Sequence, residues 1–429
     1  MSRGFRPQSN SSSTPRPLLK DQLNLEHPLA KLAQAMDWDE LERELGQPLS
    51  SEGGRPALPT RLMVGLHYLK ALYDESDESV VAKWVENPYW QYFCGEATFQ
   101  HEFPCHPTSL LKWRQRVGVD GVEKLLKHVL RSAMNQQALR PSEIAKVNVD
   151  TTVQEKAIAF PTDARLYDKA RRALVRSARK HQLKLRQSYV RLGKQALFRQ
   201  SRYAAAKQGR RARQQTRKLR TYLGRVIRDL ERQVRQLPPE LQALMEIAKR
   251  IYEQQPKDTG KLYSMHAPET ECIAKGKVHK RYEFGCKVVL VTTHASNWIV
   301  GMDAVHGNPY DGATLRGALT QTEHLTAIKP KQAAVDKGFR GASHHPPDVE
   351  VVVAGTRKRT KALQRLLKRR SAIEPVIGHA KQDHALKRNY LRGQNGDRIN
   401  AFLAGCGFNL RKLFRFFLSA PLIQPHAIA

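Results

Sequence analysis

The hydrophobic period of this chain changes at Ile144, and one kind of secondary structure cannot serve both sides of the change. From His27 to about Leu139 apolar residues recur at helical spacing, in Leu29, Leu32, Ala33 and Met36 and again in Leu62, Leu66, Leu69 and Leu72. Pro59-Thr60 predicts a helix start before the second run. Helical segments follow over 80–85 and 108–117, and Gly118 and Gly121 break the chain before another over 122–134. Short helices of this kind make a small helical domain over 27–140, serving DNA binding through a helix-turn-helix at 108–130 or serving packing and dimerisation. Residues 1–26, rich in Ser, Pro and Arg, read as a disordered basic arm, and 421–429 as a tail.

Ile144-Ala-Lys-Val-Asn-Val-Asp150 alternates apolar and polar residues and ends on a carboxylate, as a strand does. Later strands are expected at 282–292, 298–305, 332–335 and 349–354, with a helix over 312–325 and a helical run from Leu363 to about Leu386. Antiparallel strands followed by an α/β half and a closing helix imply a ribonuclease-H-like domain built from 141–164 and 260–420. The intervening 165–259 carries leucines at helical spacing. Up to Arg235 its acids are Asp168, Asp229 and Glu231, against about two dozen lysines and arginines. A solvated face mixes its charges, so this stretch reads as a helical hairpin lying on phosphates, the alternative being a solubilising basic coil. The expected fold is therefore an α/β ribonuclease-H-like domain with an all-α amino-terminal domain and a long helical insertion after the first strand.

Across 429 residues, 73 Lys and Arg oppose 40 Asp and Glu, a net charge of +33. Such an excess repels itself unless it meets a polyanion, and nucleic acid is the commonest. The five cysteines are scattered, odd in number and form no Cys-x-x-Cys pair, so neither a disulfide framework nor a standard zinc ribbon is indicated. Cys94, His101, Cys105 and His106 have no common zinc spacing, so buried thiols and surface imidazoles are expected there. The polar start (1–13) lacks the apolar core of a signal peptide, and no run of apolar residues reaches membrane-spanning length. A reducing, cytoplasmic setting follows.

Three acids carry the chemistry. Asp150 is expected at one strand end, in Val147-Asn-Val-Asp-Thr-Thr-Val153. Asp336 ends a second, in Ala333-Ala-Val-Asp-Lys-Gly-Phe-Arg340, where Gly338 allows a sharp turn and Lys337 and Arg340 bring positive charge. Glu374 lies in Arg369-Arg-Ser-Ala-Ile-Glu-Pro-Val-Ile-Gly-His-Ala-Lys381, where one continuous helix would align Arg370, Glu374, Gly378 and Lys381 on a face. A capping box formed by Ser371 and Glu374 at a new helix start is the structural alternative. His266, His306 and Glu283 read as core or surface groups before they read as parts of a site, and Tyr282 and Trp298 as core.

These motifs resemble the aspartate-aspartate-glutamate (DDE) triad of bacterial insertion-sequence transposases, most closely the insertion sequence five family within the insertion sequence four superfamily. The resemblance extends to Leu58-Pro-Thr-Arg-Leu-Met-Val-Gly-Leu-His-Tyr68, Asn87-Pro-Tyr-Trp-Gln-Tyr-Phe-Cys-Gly95, Tyr263-Ser-Met-His-Ala-Pro-Glu269, Tyr282-Glu-Phe-Gly-Cys-Lys287 and Ala404-Gly-Cys-Gly-Phe-Asn-Leu-Arg-Lys-Leu413. It thus spans roughly 27–416. One departure stands out: the tyrosine that the family carries ahead of the arginine is replaced by Leu367. The resemblance implies a transposase that binds the terminal inverted repeats of its element, cleaves the ends and joins their 3′ ends to target DNA. It implies two Mg²⁺ ions about 4 Å apart, replaceable by Mn²⁺, with Asp150 touching both and Asp336 and Glu374 one each. Arg370, Lys381, Lys337 and Arg340 would contact DNA phosphates. A homodimer on paired ends and a bacterial, nucleoid-associated location are implied too. The alternatives are a catalytically dead DNA-binding regulator, which would have lost an acid, and a ribonuclease-H-like nuclease without strand joining.

Overall fold

The computed structural model describes residues 16–46, 57–233, 238–274, 281–355 and 360–419. Most of the proposed basic arm and all of the tail lie outside them. The chain divides into two compact units, Met1–Glu143 with Leu403–Ala429, and Ile144–Phe402.

The first unit is helical: α1 (Leu19–Gln22), α2 (Pro28–Ala35), α3 (Trp38–Leu45), α4 (Thr60–Tyr73), α5 (Asp77–Glu86), α6 (Pro88–Phe93), α7 (Thr108–Asn135) and the later part of α15 (Gly393–Ser419). Helix α4 begins where Pro59 predicts and is apolar nearly all round, with Leu62, Met63, Val64, Leu66, Leu69 and Leu72 buried, as a central helix must be. Two expectations need correction. The arm is ordered before residue 26, because Leu18 bridges Thr98 and Leu19 is fully buried. The helix-turn-helix is absent at 108–130: α7 is interrupted at Gly118 alone (φ 68°, ψ −166°), which leaves no room for a turn of about three or four residues.

The second unit is built on a seven-stranded mixed sheet: β1 (Lys146–Lys156), β2 (Glu271–Ala274), β3 (Tyr282–Thr293), β4 (Ile299–Val305), β5 (Gln332–Val335), β6 (Glu350–Val353) and β7 (Arg388–Asn389). The spatial order is β2-β3-β1-β5-β6, with β4 also on β3 and β7 also on β1. β1 is antiparallel to β3 and parallel to β5, and β5 is parallel to β6. Helix α12 (Asp311–Thr326) connects β4 to β5 and packs on β4 and β3. β1 and β3 approach so closely that a Cβ on Gly285 would stand 1.8 Å from the Gln154 carbonyl oxygen, so glycine is required there.

The basic stretch forms four helices rather than a hairpin: α8 (Asp163–Lys180), α9 (Val190–Ala205), α10 (Gly209–Glu231) and α11 (Pro239–Glu253). They share a core that includes Leu174, Leu219, Leu223, Leu230, Leu241 and Ile251. Leu183 and Leu185, read as helical, fall in the turn between α8 and α9 and still pack on this core. Inside it Arg171 donates to Asp168 (2.6 Å), and both are almost wholly buried. The final helical run is also divided, into α13 (Lys361–Arg370) and α14 (Ile373–Asp383).

Candidate active site

The site lies where the parallel strands end. β1 pairs with β5 only over Lys146–Asn148 and is then unpaired on that side until β7 joins at Glu155, while β3 supports its other edge. Asp150 is therefore within the strand and not at its end, as the alternation suggested. Asn148 is level with Ala334, and carrying that register on by two residues sets Asp150 level with Asp336, the first residue past β5. Burial pushes the Asp150 carboxyl above the ordinary carboxylate range, and the nearby charge of Asp336 pushes the same way. The Thr151 N–H (2.8 Å) and the Arg370 guanidinium (3.2 Å) oppose the rise. Two carboxylates thus converge where one counter-cation is already in place and further positive charge would be stabilised.

Asp336 caps a short turn by accepting the Gly338 N–H at 2.8 Å. Gly338 is needed for space and not for a left-handed bend. A Cβ there would lie 2.8 Å from Asp311 Oδ2 and 3.0 Å from Asp336 Oδ1. Asp311 is the site residue that the sequence reading missed. It opens α12, and its Oδ1 accepts from Thr151 Oγ1 (3.0 Å) and Lys287 Nζ (2.8 Å). The only local signal was an acid at a helix start in Pro309-Tyr-Asp-Gly312. Its approach to β1 joins residues 160 apart in the chain.

The remaining expected residues are distributed as follows. Arg370 ends α13 and donates to Asp150. Glu374 sits in the first turn of α14, exposed, on a helix that packs against β1. The chain bends between the two, so Arg370 and Glu374 share no continuous helical face. The capping box is absent as well, because the Ser371 hydroxyl donates back to the Lys368 carbonyl. Lys381 is half-buried near the end of α14. Lys337 and Arg340 are exposed and run beside Gly355, and no ion pair of the described residues joins either to Asp336. The oxygens of Asp150, Asp336 and Glu374 are not all within 4.8 Å of one another. Asp150 and Asp336 fit a hard divalent cation, which favours carboxylate oxygens and keeps part of its water. Glu374 forms no such close group with them among the described residues.

Cys94 is a buried free thiol, and the Cys94, His101, Cys105, His106 group forms no metal-ligand cluster among the described residues. No helix of the described residues is long and apolar enough to cross a membrane.

Residues 17–116 match the family described as "Transposase domain (DUF772)", and residues 348–414 match "Transposase DDE domain". The second match contains Arg370, Glu374 and Lys381, whereas Asp150 and Asp336 lie outside both. The chain is also 49% identical over 209 residues to "Uncharacterized protein ORF8 in nfe locus" of Rhizobium meliloti, an alignment covering 48% of this chain and 99% of that protein. No solved structure matches it.

Proposed function

The chain belongs to the DDE transposases, and from that premise we propose that it binds the inverted terminal repeats of an insertion sequence, cuts the ends and joins the freed 3′ ends to target DNA. The observation that carries the reading is the approach of Asp150, within β1, to Asp336, just past the end of the parallel neighbour β5. Asp150 and Asp336, with Glu374 reaching in from the first turn of α14, would hold two Mg²⁺ ions, or Mn²⁺ in their place. When bound, the ions supply the charge that turns a water or a 3′-hydroxyl into a nucleophile and steadies the leaving oxygen.

The chain's own groups do the rest. Arg370 keeps the buried Asp150 carboxylate ionised and aimed. Lys337 and Arg340, exposed just past β5, and Lys381 on α14 would hold DNA phosphates. The helices α8–α11 extend that contact along the duplex through charge alone. A ribonuclease-H-like core is supported by the order β4-β3-β1-β5-β6, three antiparallel strands followed by two parallel to the first. Membership of the insertion sequence five family rests on the motifs. A homodimer follows from the need to cut two ends together, and a cytoplasmic, nucleoid-associated location follows from the DNA substrate.

A second reading, a DNA-binding regulator without chemistry, is favoured by Arg370 standing on Asp150 and by the exposed position of Glu374. Linear DNA carrying the element's ends, incubated with the protein in Mg²⁺ or in EDTA, decides. Cuts at the ends followed by joining, in Mg²⁺ only, support the transposase. Binding without cutting supports the regulator, and cuts placed anywhere support a nuclease.

A further inference from the structure

A second constellation in the sheet unit has the donor chemistry of a softer cation. Cys286 lies on β3 opposite Gln154 of β1, His306 directly follows β4, and Asp397 lies near the start of α15. One ligand atom from each falls within 4.8 Å of the others, and among the described residues they form the one such group of three. We propose that Cys286, His306 and Asp397 bind a single divalent cation of the zinc class.

The surroundings prepare each ligand. Asp397 Oδ1 is fully occupied, accepting from Lys156 Nζ (2.7 Å) and Asn389 Nδ2 (2.6 Å). Oδ2 is left facing His306 Nε2 at 3.7 Å, too far for a hydrogen bond. A nitrogen and an oxygen on one tetrahedral zinc, with bonds of about 2.0–2.2 Å, stand about 3.3–3.6 Å apart, so this gap needs to close only slightly. The other ring nitrogen, Nδ1, is 3.4 Å from Glu271 Oε1. Glu271 is itself fixed by the Gly307 (2.6 Å) and Asn308 (2.9 Å) N–H groups. A carboxylate behind a histidine, setting its tautomer, is the usual support of a metal ligand. Both His306 nitrogens are shielded from water, and neither makes a well-formed hydrogen bond. Glu269 and Asp397 both pair with Lys156 while Glu271 pairs with His306, so three carboxylates stand against one lysine in this network and added positive charge is compensated there.

Thiolate, imidazole and a single carboxylate oxygen suit Zn²⁺ and its chemical neighbours, whereas Mg²⁺ prefers oxygen alone. The site is separate from Asp150, since Gln154 lies four residues further along β1, about 13 Å at strand rise. A cation here would tie β3, the loop after β4 and the start of α15 together, and it does not depend on the proposed strand chemistry.

The test uses the full chain, stripped with a chelator and titrated with Co²⁺. One equivalent should bind with intense tetrahedral d–d absorption and a thiolate-to-cobalt charge-transfer band. Both signals should be lost in Cys286→Ser and His306→Gln and kept in Asp150→Asn. Zn²⁺ should displace the cobalt and raise the Tm of the wild type by several degrees. If Cys286→Ser does not fold, the wild-type spectrum, the Zn²⁺-dependent Tm and His306→Gln remain decisive. A cobalt spectrum without the thiolate band, a band that survives Cys286→Ser, or a wild-type Tm unmoved by Zn²⁺ would overturn the proposal and leave His306 as a member of an ion-pair network.

Discussion

Asp150 is the residue on which structure and chemistry press in opposite directions. Its carboxyl is only 18% exposed, and burial together with Asp336 disfavours its charge. A folded-state pKa raised above the unfolded value means that the folded state holds the proton more tightly. Stability is then greatest below the ordinary carboxylate pKa and falls as pH rises through the raised value. Asp150→Asn should therefore raise the Tm of the metal-free protein at neutral pH, with a gain that fades once the pH drops below the ordinary value. An equal gain at both pH values would show that Asp150 is not held unfavourably. The apolar strand runs were enough to single out Asp150 and Asp336, whose charges the fold brings near each other, and the Arg-x-x-x-Glu spacing to single out Arg370, which donates to Asp150, while Glu374 stays a proposal. Asp311 was not legible, because a helix-opening acid looks the same whether or not it faces a site.

At the scale of elements, strands were read more accurately than helix boundaries. Runs such as 282–292 and 332–335 turn apolar and buried along their length, so their limits appear as changes in residue type. The division of α13 from α14 at Ser371-Ala372 was legible only as the alternative of a new helix start, since no Gly or Pro stands at the break, and the turns that make four helices of 165–255 are as basic as the helices themselves. The short β2 was missed because four residues show no period. The insertion is more than a charged surface, since it contains the buried Arg171–Asp168 pair. Asp168→Ala should leave Arg171 buried without its partner and cost about 3–5 kcal/mol, read as earlier urea unfolding or proteolysis within α8–α11. On its outer face Arg199, Arg202 and Arg211 surround the exposed Phe198 and the half-buried Tyr203 at the α9–α10 turn. Replacing the three arginines with glutamine should weaken DNA binding and lower the salt slope by up to about 0.9 per lost phosphate contact. An unchanged slope would mean that this surface does not meet DNA.

For the whole molecule, a charge of +33 and two transposase domain matches at opposite ends of the chain agree on a protein that works on DNA. The sheet brings Asp150 and Asp336 together across almost two hundred residues, most of the interval being the basic helices and the antiparallel strands. Phosphate binding spread over many cations should survive the loss of one carboxylate, whereas the chemistry should not. Cleavage of DNA carrying the element's ends, measured beside binding for the wild type, Asp150→Asn, Asp336→Asn and Glu374→Gln in Mg²⁺, is thus the most direct measurement. A shared carboxylate site predicts that each variant binds as the wild type does and cuts at least about a hundredfold more slowly. Wild-type rates of cutting in Asp150→Asn or Asp336→Asn would contradict it.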